Sequence, residues 1–462
     1  MNTTFESEAS LKKTYWNTVI HSVVTFMGQS MMQIVDLFFC GTLGSQASGT
    51  VGTSCSLYAW FMIIGIGLVL SLEYWIPHSL GEKDEVKANS FFYAGIAVSL
   101  FVSAFSTLGF WIVTQHTNLL GVNPAIQSTV QSFSHIIAIS YFPVFLIPTL
   151  RVELQARGFP RDTTDAFILG NILNVFLNWA LIRGHWGFPA LGLDGCAWAN
   201  LLSRFAILFY LLSRVKKVRA KLTIPVHWKK IDYSHFIRKI LHMGLPTSFH
   251  MLFEMGAFIL VGMLAAHLSP SQNAAHTITI TLASFMFMIP LGMGSAAALT
   301  LSKLNGQKRY PLAVKYGKYT IRLGLLYASM GSLLLILFRV PIFRVYSNDP
   351  ETIRIGTSLL FIAALFQLGD TSQVILAGCL RGFGKTKIQA VINAIGHWGI
   401  GLPLGIFLGH YLNWQIRGYW IGLSTGLFSV ALGLYYFWTK AIQEKPLLHG
   451  SIQSAVEFSS RE

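Results

Sequence analysis

The chain has 462 residues, of which 53% are hydrophobic and only 11% charged, with a mean hydropathy of +0.53 and a formal net charge of +15. Soluble domains carry about 25% charged residues, so this composition excludes an ordinary soluble protein and indicates an all-α integral membrane protein. At about 20 residues per crossing, the length supplies about a dozen apolar spans with short connections.

Taken in chain order, the polar opening MNTTFESEASLKK is followed by an apolar stretch too long for a signal-peptide core, so no cleaved leader is expected. Twelve spans are predicted. The first six run over Trp16 to Thr42, Gly49 to Ile76, Ala88 to Thr114, Gln131 to Val152, Thr163 to Ile182 and Gly192 to Leu212. The second six run over Ile240 to Leu264, Ala275 to Lys303, Ala313 to Arg339, Ile353 to Leu380, Ile388 to Gly409 and Gly418 to Thr439. Lys and Arg fall 27 to 5 in favour of the loops on the side of the N-terminus, which predicts both termini in the cytoplasm. Basic loops facing anionic lipid headgroups account for the positive charge, so no nucleic-acid partner is needed. The segment RVKKVRAKLTIPVHWKK reads as a linker lying on the membrane, with Pro225, His227 and Trp228 suited to the interface.

Landmarks recur along the chain. Gly67 answers Gly292 and Gly81 answers Gly306, each 225 residues on. Arg157-Gly158-Phe159 answers Arg381-Gly382-Phe383, and Gly195 opens its span as Gly418 does. The chain therefore divides into an N-terminal six-helix half (1–213), a basic linker (214–239), a C-terminal six-helix half (240–445) and a tail (446–462). Six is even, so the halves are parallel repeats, an arrangement used by transporters that place substrate and ion sites between or within halves. Pro143, Pro148, Pro246, Pro290 and Pro403 each remove a backbone hydrogen bond inside a span. Pro290, beside Gly292 and Gly294, and Pro246 are the hinge candidates.

Three acids lie within apolar stretches: Asp36 in QIVDLFF, Glu254 in MLFEMGAFIL and Asp370 in LFQLGDTSQVIL. A carboxylate at the centre of a span costs about 2.5 to 3.5 kcal/mol on insertion scales, so such residues are paired, protonated or turned to a hydrated cavity. Glu254 and Asp370 sit too deep for a short side chain to reach water, and they are the candidates for cation coupling, with H⁺ or Na⁺ as the ion. His250 lies one turn before Glu254, and Gln373 shares a face with Asp370. Asp36 lies nearer a span end, where Asn174 and Asn178, one turn apart, suit a polar cluster with it; a helix-end anchor is its other reading. His276 and His397 read as satisfied core residues, and Glu73, before Pro77 and Lys83, as one half of a surface ion pair. Cys40, Cys55, Cys196 and Cys379 show no paired spacing and read as small apolar fillers.

Several segments resemble the multidrug and toxic compound extrusion (MATE) antiporters, and within them the NorM-like bacterial branch: VDLFFCGTLG, LQARGFPRDT with GNILNVFLNWALI, GFPALGLDGCAWAN, MGLPTSFHMLFEMGAFILVGMLA, AAHTITITLASFMFMIPLGMG and GCLRGFGKTK. The resemblance runs from about Trp16 to Lys440. It implies twelve transmembrane helices in two pseudo-symmetric six-helix bundles, with inward cation flow driving substrates out. It also implies a sodium site at Glu254 and Asp370 and a functional acid at Asp36. Two positions depart from the pattern: Phe366 stands where the branch has a tyrosine, removing a hydroxyl from the cation, and Asn178 stands where some relatives have an acid.

These readings converge on a secondary active exporter of the bacterial inner membrane. It would exchange H⁺ or Na⁺ for lipophilic, often cationic, organic compounds by alternating access, as a monomer among membrane lipids and without a cofactor. A dedicated metabolite exporter or a lipid-linked flippase is the alternative within transport, although a pyrophosphate substrate calls for several buried arginines and only Arg204 lies deep in a span. No HExxH, GxSxG or P-loop supports an enzyme.

Overall fold

The computed structural model describes residues 8–118, 122–224 and 231–459. Among the described residues, twelve helices are long and apolar enough to cross a membrane. They are α1 (Glu8–Gly41), α2 (Gly49–Gly81), α3 (Glu85–Gln115), α4 (Pro124–Ala156), α5 (Pro160–Arg183), α6 (Gly192–Lys221), α7 (Tyr233–Ala266), α8 (Pro270–Gly306), α9 (Tyr310–Leu337), α10 (Pro350–Gly382), α11 (Lys387–Tyr411) and α12 (Gln415–Glu444). The twelve predicted spans all appear, but most helices run several residues past the apolar stretch. Intrahelical hydrogen bonds satisfy the backbone on either side of the membrane boundary, so hydropathy marks the crossing and not the helix end.

Local sequence explains the ends. Asp84 caps α3 by accepting from the Lys87 amide at 2.8 Å, and Ser269 caps α8 through the Gln272 amide. Proline occupies the first turn of α5, α8, α9 and α10, where no intrahelical partner is lost. Asp349 accepts from the Thr352 hydroxyl and from the amides of Thr352 and Glu351, and these bonds hold its carboxyl below the usual carboxylate range. Ser271 also donates to Asp349 at 2.9 Å, tying the start of α8 to that of α10. The linker residues 225–230, with Pro225, His227 and Trp228, lie outside the described residues.

The chain forms two compact units, one up to Ser248 and one from Phe249 onward. In the first, α5 packs against α1 and α6, and α4 against α3 and α6. Large apolar side chains face outward, including Phe101 and Leu108, as lipid contact requires. Span α4 is interrupted at Ile139 and Ser140. Pro143 lies four residues after Ile139 and has no amide hydrogen to offer its carbonyl, which is a sufficient cause for a break one turn upstream.

In the second unit α10 is the hub, packed against α8, α9 and α12. Here α11 is wound as two π-helical stretches, Ala394–Gly401 and Phe407–Tyr411, on either side of Leu402–Ile406, which contains Pro403. Its glycines let two backbones meet: a Cβ on Gly401 would lie 2.9 Å from the Cα of Gly426, and one on Gly405 would lie 3.4 Å from that of Gly422. Small residues at this spacing drive helix contact where lipid removes the hydrophobic drive. The repeat glycines do equivalent work, since a Cβ on Gly195 would strike the Leu181 carbonyl and one on Gly418 would strike Gly409.

Candidate functional site

In the first unit, Asp36 sits near the end of α1 and is 8% exposed. α5 brings Asn174 and Asn178 to it on successive turns, and their side-chain amides donate to Asp36 Oδ1 at 3.1 and 2.9 Å. The predicted cluster therefore forms. Asn200 of α6 completes it by donating to the second oxygen, Oδ2. Sequence reasoning missed Asn200: it stood in the WAN of a quoted motif, but the rotation of α6 that aims it at Asp36 is set by packing against α5. Three amide donors on one carboxylate suit the acceptor-only chemistry of its ionised form. Cys196 contacts the Asp36 carbonyl at 3.8 Å and is buried with Cys40, whereas Cys55 is exposed and is no buried filler.

In the second unit, Glu254 of α7 and Asp370 of α10 are buried at 8% and 3% exposure. His250 Nε2 stands 3.7 Å from Glu254 Oε2, one helical turn away. Asn393 of α11 lies 2.6 Å from His250 Nδ1. An amide nitrogen only donates, so with Asn393 oriented in this way Nδ1 accepts and the ring proton sits on Nε2, toward Glu254. Gln373 faces Glu254, yet neither atom of its amide completes a hydrogen bond. Asp370 Oδ1 and both ring nitrogens of His397 also lack a partner among the described residues. Buried polar groups without a partner are costly in an apolar interior, which sets this cluster apart from ordinary core packing.

Other expectations divide. His276 is a satisfied core residue, accepting from Trp420 Nε1 at 3.1 Å. His397 is buried but has no hydrogen-bond partner among the described residues; its ring lies 5.9 Å from that of Phe258, which offers none. Glu73 is not in a surface pair: it is wholly buried and bonded at 2.9 Å to Arg151, itself 4% exposed, because the Leu72–Gly81 segment of α2 packs against α3 and α4. Phe366 is buried between Trp420 and Phe258, at ring distances of 5.2 and 5.8 Å, and brings no oxygen to Asp370. Pro246 and Pro290 lie inside continuous helices. Among the described residues no three His, Cys, Asp or Glu side chains gather as a metal site.

The MatE family profile matches residues 22–180 and again residues 246–407, so the internal repeat is also a repeat of the family pattern. A probable multidrug resistance protein NorM of Bacillus cereus is 30% identical over 397 residues, covering 84% of this chain and 87% of that protein. One from Mesorhizobium japonicum is 28% identical, covering 92% and 93%. Among solved structures, a mutant of the Vibrio cholerae MATE transporter VcmN superposes with a TM-score of 0.87 at 17% identity, over 94% of this chain and 98% of that one. The eukaryotic MATE transporter AtDTX14 gives 0.83 at 17% identity over the same shares. With twelve membrane-length helices in two repeats, a family match over most of its length and the fold of solved MATE transporters, the chain belongs to the MatE family and is a multi-pass membrane transporter.

Proposed function

We propose that this transporter is a secondary active exporter that exchanges H⁺ or Na⁺ for lipophilic, often cationic, organic compounds. In this reading it lies in the bacterial inner membrane as a monomer with both termini cytoplasmic. The observation that carries it is the pair Glu254 and Asp370, two carboxylates buried within one helical unit beside polar groups that find no protein partner. A carboxylate serves either ion: deprotonated, it offers oxygens to a hard cation, and in the neutral form it carries a proton. Each loading state has its own preferred packing, so cation and substrate compete through the conformations they favour. Asp36, held by three amides, has the weaker claim to coupling and the stronger claim to shaping a substrate site. Pro246 and Pro290 supply the hinges for alternating access. The names of the NorM relatives support the multidrug substrate class.

The test is efflux from proteoliposomes under an imposed pH gradient or an imposed sodium gradient, one at a time. Uphill movement of an organic cation under either gradient is the expected result. Movement under neither, by protein that is correctly inserted, would reject the exchanger.

A further inference from the structure

Arg204 is unusual in its surroundings. It lies on α6, twelve residues after the helix start at Gly192, roughly 18 Å along the axis at about 1.5 Å per residue. Its Nη1 donates to the Tyr58 hydroxyl at 3.0 Å and to the Ser140 hydroxyl at 3.0 Å, with the guanidinium over the Tyr58 ring at 5.7 Å. Both acceptors are neutral. Among the described residues Arg204 makes no ion pair, and its Nε and Nη2 make no hydrogen bond. Asp36 of the same unit is engaged by three amides and stands beyond ion-pair distance.

The guanidinium is also held in place. Tyr58 and Ser140 bond to each other at 2.9 Å, and the Ser140 hydroxyl is anchored by donating to the Ile137 carbonyl at 2.6 Å. Tyr58 stacks on Tyr141 at 4.2 Å, and the Tyr141 hydroxyl donates to the Tyr58 carbonyl at 2.9 Å. This fixes Nη1 and leaves the Nε–Nη2 edge, the side that binds a carboxylate through two parallel bonds. Arg204 is half-buried and Cys55, three residues before Tyr58, is exposed.

A purely structural arginine would explain the hydroxyl contacts but not the charge. A neutral donor ties two hydroxyls together without the cost of a cation in a membrane span. Nor does the fold need it, because the position 223 residues on, by the spacing of Gly195 and Gly418, is Leu427, a fully buried apolar residue.

We infer that Arg204, held by Tyr58 and Ser140, is an anion-recognition site in the N-terminal unit that selects, among the transported compounds, those whose carboxylate it can pair. The inference rests on the exporter reading and narrows its substrate class.

The test uses the full chain in nanodiscs and two fluorescent probes, a rhodamine with a free benzoate and its methyl ester, with binding followed by anisotropy in the absence of any gradient. The unmodified protein is expected to bind the carboxylate dye about tenfold or more tightly than the ester. Arg204→Gln should bring that ratio close to one, and Arg204→Lys, which keeps the charge but loses the fork, should hold an intermediate ratio. A ratio of one or below in the unmodified protein overturns the site without any variant, and an unchanged ratio in Arg204→Gln does so too. The exporter reading is separable: a preserved carboxylate preference without gradient-driven movement of either dye rejects exchange alone, while export with no preference rejects the site alone.

Discussion

The two halves share an architecture and differ in where they put charge. His21 faces Thr164 at 2.8 Å in the first, and His250 faces Asn393 at 2.6 Å in the second, each pair 143 residues apart in sequence. By that correspondence Glu254 replaces Thr25, and Asp36 is answered by the buried Ala265. The first half buries ion pairs, Glu73 with Arg151 and Glu153 with both Arg157 and Arg219 at 2.7 Å. At the repeat spacing the second half has Ala298 for Glu73, Ile375 for Arg151 and Ala377 for Glu153, all buried. The first half therefore gives its buried acids partners, arginines for Glu73 and Glu153 and three amides for Asp36, whereas Asp370 Oδ1 and the Gln373 amide of the second have none among the described residues. Duplication preserved the helix contacts, which need small and apolar residues at set positions. Nothing in those contacts required the polar positions to stay alike.

The sharpest way to break this comparison is to neutralise the acids on each side. Glu254→Gln and Asp370→Asn should each insert normally yet abolish uphill export, since an amide neither releases a proton nor binds a cation by charge. Full drug resistance in cells carrying both changes would remove the second half from coupling. Next in size is Arg151→Met, which removes the cation bonded to the buried Glu73 and should lower stability by about 3–5 kcal/mol, read as the thermal unfolding midpoint of detergent-solubilised protein. A change within error would mean that Glu73 has other compensation. Asp36→Asn replaces an acceptor of three amides by a group with its own donors, and should destabilise by about 1–3 kcal/mol. If unfolding is unaffected, the first half is no more satisfied than the second. The smallest effect is expected from Phe366→Tyr, which places a hydroxyl one turn before Asp370. A pH gradient should drive export by the unmodified protein at least as well as a sodium gradient, and the variant should show a few-fold greater sodium dependence. Transport by the unmodified protein that requires sodium and ignores pH would refute the reading of Phe366.

Much of this protein was legible in its sequence, because a membrane makes local composition decisive. The twelve spans follow from apolar runs, since every backbone polar group crossing a bilayer must be bonded within its own helix. The repeat was visible in glycines that close helix contacts demand, and the candidate acids in the cost of burying them. Phe366 could be read for what it lacks. What faces what had to come from tertiary structure. Asn200 reaches Asp36, Arg151 reaches Glu73, and Arg204 meets Tyr58 and Ser140 only because particular helices pack at particular rotations. The same holds for His397, which has no hydrogen-bond partner among the described residues. Hydropathy has no information on helix rotation, because lipid and protein interior are alike apolar. Composition and hydropathy alone thus place this chain across the membrane and mark which of its charges are costly. Packing between helices decided which of those charges are compensated and which are left available for chemistry.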